Sequence, residues 1–240
     1  MHVPRTNRKT IHREPAQPSA ARQARSAADM VQPNATLEQL KIAARGCKAC
    51  DLWKLGTQTV FGEGSARAAI MLVGEQPGDQ EDRMGLPFVG PAGRVLDHAL
   101  EQAGIDRPQV YVTNVVKHFK WAPAERGKRR IHKKPRYSEI QACRPWLDAE
   151  LEAVKPQVLV CLGASAAQSL LGKDFRVSQQ RGQLVESELA PFVMATVHPS
   201  SILRAKDAGS RHLQMEAFID DLKKVAQLLK NAQPQRGRAA

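Results

Sequence analysis

Continuous apolar runs alternate along this chain with segments whose apolar residues recur at helical spacing. The first run, Ala68-Ala69-Ile70-Met71-Leu72-Val73, has no polar position, as expected of a strand covered on both faces. It ends at Gly74-Glu75-Gln76-Pro77-Gly78, whose glycines and proline predict a turn-forming loop. Residues 93–103 predict a helix stopped by Gly104, and residues 110–116 a second strand. Ser138-Glu139-Ile140-Gln141 reads as a capping box that opens a helix running to about Val154, ahead of Pro156. Residues 158–162 form a third strand, closed by Gly163 and followed by a short helix to Leu171. Residues 192–197 form a fourth. Met215, Phe218, Ile219, Leu222, Val225, Ala226 and Leu229 share one face of a last helix. The alternation predicts an α/β fold of three layers, a central, mostly parallel four-stranded sheet flanked by helices.

The ends break this pattern. Residues 1–36 are rich in Arg, Pro, Ala, Ser and Gln with almost no large apolar side chain, so they read as a disordered basic arm. An Arg-rich transit peptide has similar composition, but no amphipathic stripe supports it. Residues 231–240 read as a frayed tail, which leaves residues 37–230 as one domain with a single core. Lys and Arg number 36 against 24 Asp and Glu, a net charge of +12. That surplus points to a polyanionic partner, nucleic acid above all, although a solubilising basic surface has the same composition. No apolar run reaches the ~20 residues of a membrane span. The first residues have no signal-peptide core, so the thiols are expected in a reducing, cytoplasmic setting.

Four cysteines occur as a tight pair and two singles: Cys47-Lys-Ala-Cys50, Cys143 and Cys161. Two thiols on one turn and two from elsewhere suit a shared metal centre, zinc or iron–sulfur. No second C-x-x-C follows, as a zinc ribbon would have. A thioredoxin-like pair needs only Cys47 and Cys50, and Cys161 sits in an apolar run as a buried free cysteine would. These readings stand side by side on spacing alone.

Ligands of parallel sheets bind beyond the carboxyl ends of the strands. There the chain carries Glu75, Gln76, Asp79, Glu81 and Asp82 after the first strand, Asn114 near the end of the second, and His198-Pro199-Ser200-Ser201 after the fourth. Carboxylates, an amide and a histidine at one rim suit a polar planar ligand and acid–base chemistry. Each also has a plainer role: Asp79 or Asp82 as a helix cap, Asn114 in a turn, His198 as a loop residue before proline. Gly90-Pro91-Ala92-Gly93 lacks P-loop spacing, no G-x-G-x-x-G follows the first strand, and no G-x-S-x-G is present. Dinucleotide and serine-hydrolase chemistry therefore have no support.

The string from Gly74 to Asp82, followed by Gly85-Leu86-Pro87-Phe88-Val89-Gly90-Pro91-Ala92-Gly93, resembles the first motif of the iron–sulfur (family 4) uracil-DNA glycosylases. His198-Pro199-Ser200-Ser201-Ile202-Leu203-Arg204 resembles their second, and the cysteine layout matches theirs. The resemblance covers roughly residues 37–229. Two features are narrower: Gln76, where the usual members carry Ala, and the insertion Gly127-Lys128-Arg129-Arg130-Ile131-His132-Lys133-Lys134. Both resemble the X-type branch, UdgX, understood to become covalently attached to uracil-containing DNA through the histidine of this loop, here His132.

The resemblance implies a uracil-DNA-glycosylase-like fold and a 4Fe–4S cluster on Cys47, Cys50, Cys143 and Cys161. It implies a monomer acting on single- or double-stranded uracil-containing DNA. It implies that Phe88 stacks on the base, that Asn114 reads its O4/N3 edge and that His198 stabilises the departing anion. Glu75 or Asp79 would then stabilise the cationic sugar or orient water, with Gln76 unable to serve as a base. Lys117, Arg130, Ser200 and Arg204 are expected on the substrate. Without the resemblance, the insertion is a basic solvated stretch.

Overall fold

The computed structural model describes residues 26–125, 127 and 129–232. Strands β1 (Ile70–Gly74), β2 (Val110–Asn114), β5 (Val158–Leu162) and β7 (Phe192–Thr196) pair in parallel in the order β2-β1-β5-β7. A fifth, two-residue strand β6 (Leu184–Val185) adds antiparallel to β7. The sheet therefore has five strands rather than the predicted four. The extra strand is too short and too exposed to leave an apolar signature.

Alternation within the strands makes two cores. Met71, Val73, Leu159 and Cys161 face α1 (Leu37–Ala44), α4 (Tyr137–Val154) and α5 (Ala164–Leu171). Ile70, Leu72, Val158 and Val160 face α3 (Pro91–Gln102) and α8 (Ala208–Ala232). With both faces covered, the strands need no polar positions. Helix α8 buries Phe218, Ile219, Leu222, Val225 and Leu229, the face its periodicity predicts.

Helix α4 begins differently from the expected capping box. Its N-cap is Arg136, whose N–H donates to Glu139 Oε2 at 2.6 Å, so Ser138 lies inside the first turn. The described chain also begins before residue 37. Ala27 is fully buried and its N–H donates to Ala142 O at 2.9 Å, so the segment from residue 26 packs on α4 despite its polar composition. The rest of the predicted arm lies outside the described residues, as does the tail beyond 232. Among the described residues no helix is long and apolar enough to cross a membrane.

Three further elements surround the carboxyl ends of the strands. Helix α2 (Asp79–Met84) follows β1, and α7 (Pro199–Leu203) follows β7. Between β2 and α4 the chain forms an antiparallel hairpin, β3 (Trp121–Pro123) with β4 (Arg130–His132), in which Trp121 pairs with His132. Arg130–His132, read from sequence as part of a basic loop, is thus a strand at the rim. A short helix α6 (Val177–Gln180) precedes β6.

Candidate active site

Parallel pairing brings the ends of β1 and β2 together. Gly74 lies opposite Asn114, and the ladder continues one step, with Val116 N–H donating to Glu75 O at 3.2 Å. Gly74 is required here. A Cβ on it would stand 2.8 Å from Phe88 Cζ and closer still to Asn114 Oδ1, so only glycine lets the ring and the amide meet over the strand end. Phe88 itself has φ +56°, a left-handed conformation that costs a non-glycine residue about 1–2 kcal/mol. Strain of this kind collects where side-chain placement matters more than backbone ease. The Phe88 ring lies 6.0 Å from the His198 ring, inclined at 30°.

Gln76 ties the hairpin to the rim. Its Oε1 accepts the Lys120 N–H at 3.0 Å, which fixes the orientation of the amide. Its Nε2 then donates to Lys133 O at 3.0 Å and faces His132 Nε2 at 2.8 Å. A donor NH₂ in that position requires a lone pair on His132 Nε2, so the ring proton of the neutral imidazole sits on Nδ1. Glu75 Oε1 is 3.5 Å from the same nitrogen. Burial holds the His132 pKa below the ordinary imidazole value, with Arg204 adding to the depression and Glu75 opposing it. The imidazole is therefore a neutral base near pH 7.

His198 caps α7. Ser200 N–H donates to its Nδ1 at 3.2 Å, the Ser200 hydroxyl lies 2.8 Å from the same nitrogen, and Arg204 Nη1 donates to that hydroxyl at 3.0 Å. With Nδ1 accepting, the ring proton lies on Nε2, which can donate to a ligand. Burial, then Arg204 and His132, push the His198 pKa down to about 4. Gly163, at φ +88°, passes against this histidine, and a Cβ there would stand 2.9 Å from His198 Cβ. Glu75, Gln76, Phe88, Asn114, His132, His198, Ser200 and Arg204 thus surround one rim. Ser165, at the start of α5, donates its hydroxyl to Glu75 Oε2; no sequence signal marked it.

Three residues expected at the substrate, Arg130, Asp79 and Lys117, are engaged by partners within the protein. Arg130 lies between the hairpin and α2. Its guanidinium pairs with Asp79 and with Asp82, the latter at 2.6 Å, and lies 5.2 Å from the centre of the Phe119 ring and 5.6 Å from that of Trp121. Asp79 is correspondingly held by Arg83 and Arg130, which keep its carboxyl below the usual range against the opposing cost of burial. The pair clamps the hairpin onto α2. Lys117 is 1% exposed. Its ammonium donates to Thr113 Oγ1 at 2.6 Å, to Asn114 O at 2.8 Å and to the buried Glu150 carboxylate. It supports Asn114 from behind.

The four cysteines lie in, or packed against, one hydrophobic core. Cys47, Cys143 and Cys161 are buried. Burial pushes Cys143 up to about 12, with Lys117 opposing and the charges of Cys50 and Cys47 adding. Cys50 is raised by burial and by Cys47. Cys161, raised to about 12 by burial alone, belongs to the same core as Cys47 and Cys143. Trp146 Nε1–H donates to Cys47 Sγ and Lys117 N–H to Cys143 Sγ, each at 3.3 Å. Among the described residues no three His, Cys, Asp or Glu side chains are gathered tightly enough for a single metal ion. Buried thiols with N–H donors aimed at sulfur instead suit a larger cluster of soft ligands, which spreads its thiolates apart.

Residues 61–223 match the family model of the uracil DNA glycosylase superfamily. The chain belongs to that superfamily. It is similar to a type-4 uracil-DNA glycosylase of Sulfurisphaera tokodaii, 37% identical over 178 residues that cover 70% of this chain and 76% of the relative. The type-4 enzyme of Archaeoglobus fulgidus is 35% identical over 206 residues, 83% of this chain and 96% of its own. That of Thermotoga maritima is 34% identical over 195 residues, 81% and 95%. The superfamily match spans the rim, the hairpin, and Cys143 and Cys161.

Two histidines of this superfamily member, the buried His118 and the half-buried His198, set a pH limit on its stability. His118, depressed to about 4 chiefly by burial against the opposing pull of Asp82, and His198 stay neutral in the fold where unfolded imidazoles, near 6.5, take up protons. Stability is therefore full above about pH 6.5 and falls as pH drops towards 4, by at most ~1.4 kcal/mol per pH unit for each histidine. Urea midpoints between pH 7 and 4.5 measure this; a flat profile would contradict neutral burial.

Proposed function

We propose that the chain is a uracil-DNA glycosylase that removes uracil and stays bonded to the DNA through His132. The observation that carries this reading is the Gln76–His132 contact at 2.8 Å. It holds a neutral imidazole, with its lone pair on Nε2, beside Glu75 and on the rim that carries Asn114 and His198. The relatives' printed activity supports uracil excision, and Gln76 with the hairpin supports the X-type variant.

Uracil must leave the base stack or arrive on a single strand. Phe88 then stacks on it, and the Asn114 amide, a donor and an acceptor together, pairs with its N3–H and O4. Cytosine presents the opposite polarity there and leaves buried groups unpaired, a large discrimination. When the C1′–N1 bond breaks, its electron pair goes to uracil. His198 Nε2–H donates to the developing charge on O2 in the manner of an oxyanion hole, while the Glu75 carboxylate, held by Ser165, faces the cationic sugar. His132 Nε2, freed of the Gln76 N–H that occupies its one lone pair, gives that pair to C1′ and forms a C–N bond. The imidazolium loses its Nδ1 proton to solvent, and uracil takes one up, so charge balances.

The donor set fits a 4Fe–4S cluster held by Cys47, Cys50, Cys143 and Cys161, which when bound would tie the N-terminal segment to the core behind Asn114.

A denaturing gel of the protein with uracil-containing single-stranded DNA tests the proposal. The expected result is a heat-stable band of reduced mobility in stoichiometric amount. Abasic product in excess over protein would indicate an ordinary turnover glycosylase, and neither species would leave only a DNA-binding role.

A further inference from the structure

Beside the hairpin runs a strip of cations and aromatic rings that the excision chemistry does not use. Trp121, on β3, donates its indole N–H to Leu55 O at 2.7 Å and so joins the hairpin to the turn that carries Trp53. Over the Trp53 ring stand Lys48 Nζ, 4.8 Å from its centre, and Lys54 Nζ, at 6.0 Å. Next to this turn a cleft of about 400 Å³ opens between α1 and the end of α2, lined by Lys41, Arg45, Thr57, Gln58, Phe61 and Met84. One wall of it meets the hairpin: Thr57 Oγ1 accepts from Arg130 Nη1 at 3.3 Å, two positions before His132 in the chain.

The chemistry of the strip selects its partner. Exposed cations bind phosphates, and the Trp53 ring stacks an unpaired base once the lysine over it swings out to a phosphate, the combination that holds single strands. A duplex has no unstacked base to offer Trp53. Lys41 and Lys54 are already paired with Glu63 and Asp51, each at 2.9 Å. The attraction for DNA therefore falls chiefly on the exposed Arg45 and Lys48.

We propose that the strip from Trp53 to the Lys41–Arg45 cleft is a track for the single-stranded DNA flanking the reacting nucleotide. This rests on the reading of the rim as a uracil-DNA site, and its test separates the two. Affinity for a uracil-free single strand of about 15 nucleotides is measured against salt for the wild type, Arg45→Gln, Lys48→Gln and the double variant. In parallel, each protein is offered a uracil-containing trinucleotide, too short to reach the strip.

Each neutralised contact is expected to flatten the slope of log K against log salt by about 0.7, and the double variant by about twice that. Reaction with the trinucleotide stays at the wild-type level. Strand binding quenches tryptophan emission, and Trp53→Phe removes most of that quench. Unchanged slopes would overturn the proposal and point to an acidic protein partner instead. A loss on the trinucleotide equal to that on the long strand would also overturn it, since the effect would then lie at the base site. Failure of the wild type to act on a uracil-containing strand of any length would count against the uracil reading, while the slopes still decide the track.

Discussion

A His132→Ser protein is expected to release uracil without becoming attached to the DNA. The covalent product falls by roughly 10³-fold or more, the scale on which removal of a nucleophile acts. Uracil release continues, because Asn114, Phe88, His198 and Glu75 are untouched and the smaller side chain admits water to C1′. Folding is nearly unaffected: the His132 side chain is half exposed, and substitutions at such positions usually shift stability by no more than ~0.5 kcal/mol. Gln76 keeps its contacts to Lys120 and Lys133. Denaturing gels for the adduct, alkaline cleavage for abasic sites and a urea titration follow the three quantities. An adduct that survived the substitution would remove His132 from the mechanism. Loss of both adduct and uracil release, in a folded protein, would make it part of the excision step itself.

The second large effect lies behind the rim. Lys117→Met leaves the Glu150 carboxylate, itself fully buried, without its counter-charge. Breaking one half of a buried ion pair typically costs ~3–5 kcal/mol, a large part of the ~5–15 kcal/mol that holds a domain together. Glu150 has other duties: its Oε1 accepts from Gly62 N–H, Tyr111 OH and Thr113 OH. An apolar replacement would orphan those donors. Glu150→Gln keeps an acceptor and removes the charge. The double variant Lys117→Met/Glu150→Gln is therefore expected to recover a substantial share of the stability lost in Lys117→Met. Urea unfolding of the two proteins measures it. A cost below about 1 kcal/mol for the single variant would show that water reaches the pair.

Both predictions concern residues that look alike in the sequence. Arg130, His132 and Lys117 are all basic, near one another in the chain and plausible on DNA. In the fold only His132 reaches the rim. Arg130 is spent on Asp79 and Asp82, 51 and 48 positions away, and Lys117 on Glu150, 33 away. Nothing local distinguishes a buried partnered cation from an exposed one, since the partner comes from another element.

The strands, α3, α8 and the rim motifs were readable because their signals are local. An apolar run between glycines and prolines has one low-energy fate in a doubly covered sheet, and helical periodicity marks the face that must be buried. Edge strand β6, the hairpin, Ser165 and the packed segment from residue 26 carry no such signal. The hairpin stands at the rim because Gln76 and the Arg130 clamp hold it there. The amino-acid order thus determined the layered architecture and the chemistry at the strand ends. Which basic residue stands at the rim and which serves as a brace was decided only by tertiary contacts, because burial and charge pairing depend on residues brought together from far apart in the chain.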